Sequence, residues 1–255
     1  MVEIDEQIIE VDGQLTARRV TMANALARAA HSLTFSEKRL VCIAISKLDS
    51  KKARQPNEII RTKITAFEFA EAFKVDIDTA YNQLKSASGN LMKRHVEIYR
   101  PAFRRGGKPL PDTVVRMQWV GEAAYQVGEG WIELAWWPAI IPHLTGLKKN
   151  FTTYLLQQTV GLRTLSSWRL LELLTSFSTN GWLEIPIEDF YKSMEVTEKQ
   201  QQDFAKVRTK HIEPAIAELH AKDGWKISWK PIKSGRKVVA LRFDFKRDDQ
   251  LRMDV

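Results

Sequence analysis

Between Thr197 and Lys246 the chain changes hydrophobic period, and this change constrains the fold more than any other feature. Residues Thr197 to Lys222 read as one long helix. Phe204, Val207, His211, Ile212, Ala215, Ile216 and Leu219 form its apolar stripe, and Gln202, Asp203, Lys206, Thr209, Lys210 and Glu213 lie on the opposite face. Pro214 lacks an N–H, so a kink or break is expected near Lys210. Two strands with period 2 follow. In Trp225–Lys230, Trp225, Ile227 and Trp229 share one face while Lys226, Ser228 and Lys230 share the other. In Val238–Lys246, Val239, Leu241, Phe243 and Phe245 point inward while Arg242 and Lys246 point out. The turn between them is Lys233-Ser234-Gly235-Arg236-Lys237.

Helix, strand, basic turn, strand is the sequence form of a winged helix, which lays its helix in the DNA major groove and its hairpin along the backbone. On that reading Gln202, Lys206, Arg208, Thr209 and Lys210 face base edges and flanking phosphates. Lys230, Lys233, Arg236 and Lys237 meet phosphates, which supply affinity and salt sensitivity but no sequence information. Any surface helix has a solvated polar face; the adjacent basic hairpin favours DNA here. The tryptophans share the inward parity and read as core, not as stacking platforms. Charge supports the same reading. The net charge of +8 includes a lead-in, residues 1–12, with five acids and no base, whereas residues 226–247 carry eight Lys or Arg against Asp244 alone.

Earlier in the chain, residues 1–15 read as an acidic lead-in, poorly ordered or a stray strand. A helix is expected over Arg18–Ala30. The capping box Thr34-Phe35-Ser36-Glu37 opens a second helix to about Leu48. After a polar loop come a strand over Glu58–Ile64, a helix over Thr65–Phe73, and a longer helix capped by Asp78 and running to about Arg94. Asn82, Lys85, Ser86 and Lys93 lie on its outer face as candidate DNA contacts. Strands are expected at His95–Arg100, Thr113–Val120 and Trp131–Trp137, with an open basic loop carrying Arg104, Arg105 and Lys108 between the first two. An unpaired edge of the latter two strands would suit a second subunit. Trp137-Pro138 marks a seam. Beyond it are helices at Phe151–Val160 and Leu165–Phe177, a turn at Asn180-Gly181, a strand at Trp182–Ile185 and a helix at Pro186–Met194.

The halves echo one another. Ile64-Thr65-Ala66-Phe67-Glu68-Phe69 resembles Ile185-Pro186-Ile187-Glu188-Asp189-Phe190 at a shift of 121 residues, which also relates Val75 to Val196, Lys85 to Lys206 and Leu91 to Ile212. The fold class is therefore α+β: two tandem winged-helix domains related by a pseudo-two-fold duplication. The first spans residues 16–137 (DNA binding and dimerisation) and the second residues 138–255 (principal DNA binding).

Other chemistries lack their residues. No His–apolar–His triplet offers the metal site of a rolling-circle nickase, and no His precedes Arg by three residues as in a tyrosine recombinase. Gly106-Gly107-Lys108-Pro109 lacks the first glycine of a phosphate loop. Asp76-Ile77-Asp78 reads as a helix start, not as metal carboxylates. Cys42 is the only cysteine, too few for a zinc site, and reads as a small core residue in a reducing compartment. No catalytic residue, metal, cofactor or small-molecule substrate is expected. With no apolar run long enough for a bilayer and no signal peptide at the N-terminus, the expected location is the cytoplasm.

Four segments carry a family resemblance in combination and order: Leu33 to Val41 (LTFSEKRLV), Trp168 to Leu174 (WRLLELL), Ile212 to Leu219 (IEPAIAEL) and Gly235 to Phe243 (GRKVVALRF). Across roughly residues 18–247 the chain resembles the replication initiator (Rep) proteins of iteron-containing, theta-replicating plasmids. The resemblance implies two winged-helix domains and a non-enzymatic initiator. Monomers of such a protein bind direct repeats (iterons) at the origin, help open an adjacent AT-rich region, and recruit the host initiator and replicative helicase. Dimers joined through the N-terminal domain bind an inverted repeat and repress the protein's own promoter. The alternative is a winged-helix transcriptional repressor with no initiator role. The N-terminal reading helix departs from the pattern by carrying Ser86, Ser88 and Gly89 where more base is expected.

Overall fold

A computed structural model describes residues 7–9, 14–55, 58–103, 109–126 and 128–247. Among these residues the contacts divide into two units, Met1–Gln157 and Gln158–Val255.

The first unit begins with β1 (Gln7–Ile9), β2 (Arg19–Ala23) and α1 (Asn24–Ala27). The helix expected over Arg18–Ala30 is thus strand for its first half. The reason lies far along the chain: β2 pairs antiparallel with β8 (Phe151–Leu155), Arg19 opposite Leu155 and Ala23 opposite Phe151. Two β-branched residues, Thr21 and Thr153, join hydroxyls across the pair at 2.9 Å. For the same reason the helix expected over Phe151–Val160 is β8 followed by the single turn α5 (Gln157–Val160). The division of the chain accordingly falls at Gln157, twenty residues beyond the expected seam at Trp137-Pro138.

Local signals place the next helices. At α2 (Phe35–Ser46) the capping box forms: the Glu37 N–H donates to Thr34 Oγ1 at 3.4 Å and the Thr34 N–H to Glu37 Oε2 at 2.8 Å. Thr65 and Glu68 repeat the device between β3 (Ile60–Thr65) and α3 (Ala66–Phe73). Lys74 adopts the left-handed φ of 54° that ends α3. Asp76 then caps α4 (Ile77–Leu91), accepting from the Thr79 N–H at 2.8 Å. The expected cap, Asp78, lies two residues inside the helix. Cys42 is buried on α2, its Sγ 3.5 Å from the Tyr154 hydroxyl.

Four strands follow where three were expected. β4 (His95–Phe103) and β5 (Pro109–Gln118) form their own antiparallel ladder. The chain then passes through the fully buried Trp119 into β6 (Val120–Tyr125) and β7 (Trp131–Trp136), which join the sheet ordered β1-β3-β7-β6. β7 is therefore interior and offers no edge, whereas β5 pairs with β4 alone among the described residues.

In the second unit Thr164 caps α6 (Leu165–Thr175), accepting from the Ser167 N–H at 3.1 Å. Then come β9 (Trp182–Pro186), α7 (Ile187–Met194), α8 (Glu198–Gln201), α9 (Phe204–Val207), α10 (Glu213–Asp223), β10 (Trp225–Ser234) and β11 (Lys237–Arg247). The sheet order is β10-β11-β9. Its core includes Trp168, Phe190, Ile212, Leu219, Leu241 and Phe243, each fully buried.

The shift of 121 residues holds in three dimensions. It carries α3 onto α7 end to end and the left-handed Lys74 (φ 54°) onto the left-handed Glu195 (φ 53°). β7 pairs with β3 as β11 pairs with β9, so β6–β7 is the hairpin of the first copy that matches β10–β11. β4–β5 stands as an additional hairpin. Among the described residues no helix is long and apolar enough to cross a membrane, and no His, Cys, Asp and Glu cluster is arranged to hold a metal ion.

Candidate nucleic-acid interface

In the second unit the expected single helix is broken twice, and each break has a local cause. Thr197 and Gln200 form a capping box at α8. Asp203 then starts α9 afresh, its carboxylate accepting from the Ala205 N–H at 3.0 Å. Between α9 and α10, residues Arg208–Ile212 form a π turn in which the Glu213 N–H reaches back five residues to the Arg208 carbonyl. Pro214 has no N–H to give the Lys210 carbonyl, and the wider turn sits where the break near Lys210 was expected. Val207, Ile212, Ala215 and Leu219 stay buried through these changes, with α10 packed on α6. Gln202, Lys206, Arg208, Thr209 and Lys210 are all exposed.

The charges on this face are lightly held. Lys206 Nζ lies 3.3 Å from Asp203 Oδ2 and Arg208 Nε lies 3.4 Å from Glu213 Oε1. Surface pairs of this kind contribute little, about 0–1 kcal/mol, and exchange readily for a phosphate. The hydrogen bond from Lys206 holds the Asp203 carboxyl below the usual carboxylate range, helped by the Ala205 N–H. Thr209 donates its hydroxyl to the Ala205 carbonyl at 2.9 Å. His211 is half-buried with Nδ1 3.0 Å from Ser166 Oγ; burial, and then the Lys210 charge, lower its pKa.

β10 and β11 set the basic hairpin at a fixed distance from the helix. Trp229 packs against Phe204 (ring centroids 6.3 Å apart) and Phe243 (6.5 Å), so it ties hairpin to helix and is not free to stack on a base. Lys230, Lys233, Arg236 and Lys237 are exposed along the hairpin, and Gly235 at φ 60° supplies the left-handed turn residue. Val239 departs from its expected inward parity. A bulge between Ile232 and Lys233 leaves it the extra residue of β11, 39% exposed. Arg242 is not free for phosphate either: it lies 4.0 Å over the Trp182 ring and 2.9 Å from Asp244.

The outward parity expected for Lys226 and Lys246 holds, and both are exposed. Lys226 and Lys246 face each other across β10–β11. Lys199, exposed in α8, was not among the expected contacts, and the duplication gives no signal for it because its counterpart 121 residues earlier is the acidic Asp78.

In the first unit, Asn82, Lys85 and Ser86 are exposed on α4, and Lys93 is exposed in the turn after it. Lys85 Nζ lies 5.5 Å over the Tyr125 ring. The matching hairpin β6–β7 carries Glu122, Glu129 and Glu133, of which Glu122 and Glu133 pair with Arg61 at 2.9 and 3.3 Å. Arg104, Arg105 and Lys108, expected in the basic loop, lie outside the described residues. The two units therefore differ in kind: an exposed basic hairpin beside α9 in the second, an acidic one in the first.

Comparison with known proteins accounts for this architecture. The chain is 25% identical over 237 residues to a replication initiation protein of Escherichia coli, covering 91% of this chain and 71% of the relative. It is 24% identical over 213 residues to an uncharacterized 27.6 kDa protein of Escherichia coli, covering 80% and 85%. The crystal structure of Pi initiator protein in complex with iteron DNA superposes with a TM-score of 0.72 at 21% identity, covering 92% of this chain and 99% of that one. Residues 19–175 match the family described as initiator replication protein, WH1, and residues 186–245 the family described as initiator Rep protein, WH2. Fold, duplication and family match agree, and the chain belongs to the replication initiator (Rep) family, built from two winged-helix domains.

Proposed function

We propose that this protein initiates plasmid replication by binding iterons, direct repeats at the origin, as a monomer. The observation that carries the proposal is the second unit's reading face, Gln202, Lys206, Arg208, Thr209 and Lys210, beside the exposed bases Lys230, Lys233, Arg236 and Lys237. Helix donors of this kind read base edges, and the hairpin charges neutralise phosphates. The structural relative solved with iteron DNA supports the choice of ligand. In the first unit Asn82, Lys85, Ser86 and Lys93, with Arg104, Arg105 and Lys108, are proposed as supporting contacts. Melting of the adjacent AT-rich DNA and recruitment of the host initiator and replicative helicase complete the initiator role. A dimer joined through the first unit represses the protein's own promoter at an inverted repeat, and β5 and β6, each an edge strand among the described residues, are candidates for that pairing.

Fluorescence anisotropy with duplexes carrying the repeats upstream of the gene tests the DNA reading. Tight binding that weakens steeply with salt is expected, and no preference for those repeats over random duplex would refute it. Removing Arg236 and Lys237 together lowers the slope of log K against log salt by about 0.9 for each phosphate that the variant leaves unneutralised. The repressor alternative is separated by asking whether the gene and its upstream repeats sustain a plasmid that has no other origin.

A further inference from the structure

The first unit carries an exposed apolar groove at the starts of α3 and α4 to which the proposed function assigns no role. Phe67 is 70% exposed on the first turn of α3, and Ile77 is 49% exposed on the first turn of α4. They border a groove of about 460 Å³ lined also by Tyr81, Asp78, Gly128 and Glu129. The volume falls within the range of about 300–1,000 Å³ typical of binding pockets. The walls are fixed: the Ala66 N–H donates to the Gly130 carbonyl at 2.6 Å, pinning the β6–β7 turn to the start of α3.

The duplicated copy shows that the fold does not require these apolar side chains. At the shift of 121 residues, Phe67 corresponds to Glu188, Ile77 to Glu198 and Tyr81 to Gln202, and all three positions are occupied by polar residues; Glu188 and Glu198 are exposed. The same turns of the same two helices are thus polar in one copy and apolar in the other. Large exposed hydrophobes grouped in this way mark contact surfaces. The polar lining excludes a phosphate ligand. Asp78 and Glu129 put carboxylates at the groove, and Asp76 stands exposed at the α4 cap. The lysines at its far side already lie over rings, Lys85 on Tyr125 (5.5 Å) and Lys63 on Trp131 (5.0 Å).

We propose that this groove docks a segment of another protein that inserts apolar side chains between Phe67 and Ile77 and sets basic residues against Asp78 and Glu129. The proposal does not depend on how the second unit reads DNA, and the two are measured separately.

The test uses the full chain and two synthetic helical peptides with the same pair of leucine anchors, one flanked by lysines and the other by glutamates. The lysine-flanked peptide is expected to bind saturably and at least tenfold more tightly than its counterpart. Phe67→Glu with Ile77→Glu, which installs the residues of the second copy at two exposed positions, is expected to weaken it at least tenfold. Melting temperature, iteron affinity and sedimentation are expected to stay unchanged. Absent binding, equal binding of the two peptides, or equal binding by the variant overturns the proposal. Loss of iteron affinity in the variant would make the groove a DNA contact, and loss of the dimer would make a second copy its occupant; either outcome also overturns it.

Discussion

Lys85 in α4 and Lys206 in α9 occupy equivalent positions of the duplicated copies, yet their surroundings differ. Lys85 lies over the Tyr125 ring, while Lys206 pairs with Asp203 at the surface. A lysine in a surface ion pair leaves it at small cost. Lys206→Ala is therefore expected to weaken specific binding by ~1–3 kcal/mol if the contact is to a base edge, measured by anisotropy against the repeat and a scrambled duplex. Unchanged affinity removes Lys206 from the interface. The outward placement of Lys206, Thr209 and Lys210 was legible from helical spacing alone. The withdrawal of Arg242 onto Trp182 was not, because the partner ring sits sixty residues earlier on a neighbouring strand.

Among the elements, those defined by bonds three or four residues long were the readable ones. Thr34-Phe35-Ser36-Glu37 announces α2 because both capping bonds close within that tetrapeptide. What the tetrapeptide does not reveal is that Glu37 also receives Arg94, at 2.8 Å from Nε and 3.0 Å from Nη2, locking α2 to the end of α4. Arg94→Ala strands part of the buried Glu37 carboxylate. It is expected to destabilise the protein by roughly 1–3 kcal/mol, read from the urea midpoint. No change would mean that Glu37 finds water instead. The two misread helices, over Arg18–Ala30 and Phe151–Val160, share one cause. A run such as Val20, Thr21 and Met22 suits either period, and only the ladder to β8 settles it.

At the scale of the molecule, the same ladder decides where the first unit ends. A fragment of residues 1–137 removes β8 and leaves β2 unpaired, whereas 1–157 retains it. The longer fragment is expected to melt cooperatively and the shorter to aggregate, and circular dichroism with light scattering distinguishes them. Each unit also holds a half-buried histidine. His143 is lowered by burial and then by Arg100, and His211 by burial and then by Lys210. Below the unperturbed value of about 6.5 the unfolded chain binds protons that the folded chain refuses. Stability is thus complete above that pH and is lost as pH falls through the lowered folded values. Urea midpoints at pH 7.5 are expected to exceed those at pH 5, and the difference shrinks in His143→Asn with His211→Asn; an unchanged difference would assign the slope to other groups.

The sequence alone determined the alternating basic hairpin, the polar face of the reading helix, the break before Pro214 and the 121-residue duplication. Period, proline chemistry and repetition are properties of neighbouring residues or of the chain compared with itself. Tertiary structure alone decided that β2 and β8 are strands, that β4–β5 is an extra hairpin, and that Arg242 is engaged. Each of these depends on a partner remote in sequence, and the free energy of a long-range pair outweighs a local preference that is nearly balanced.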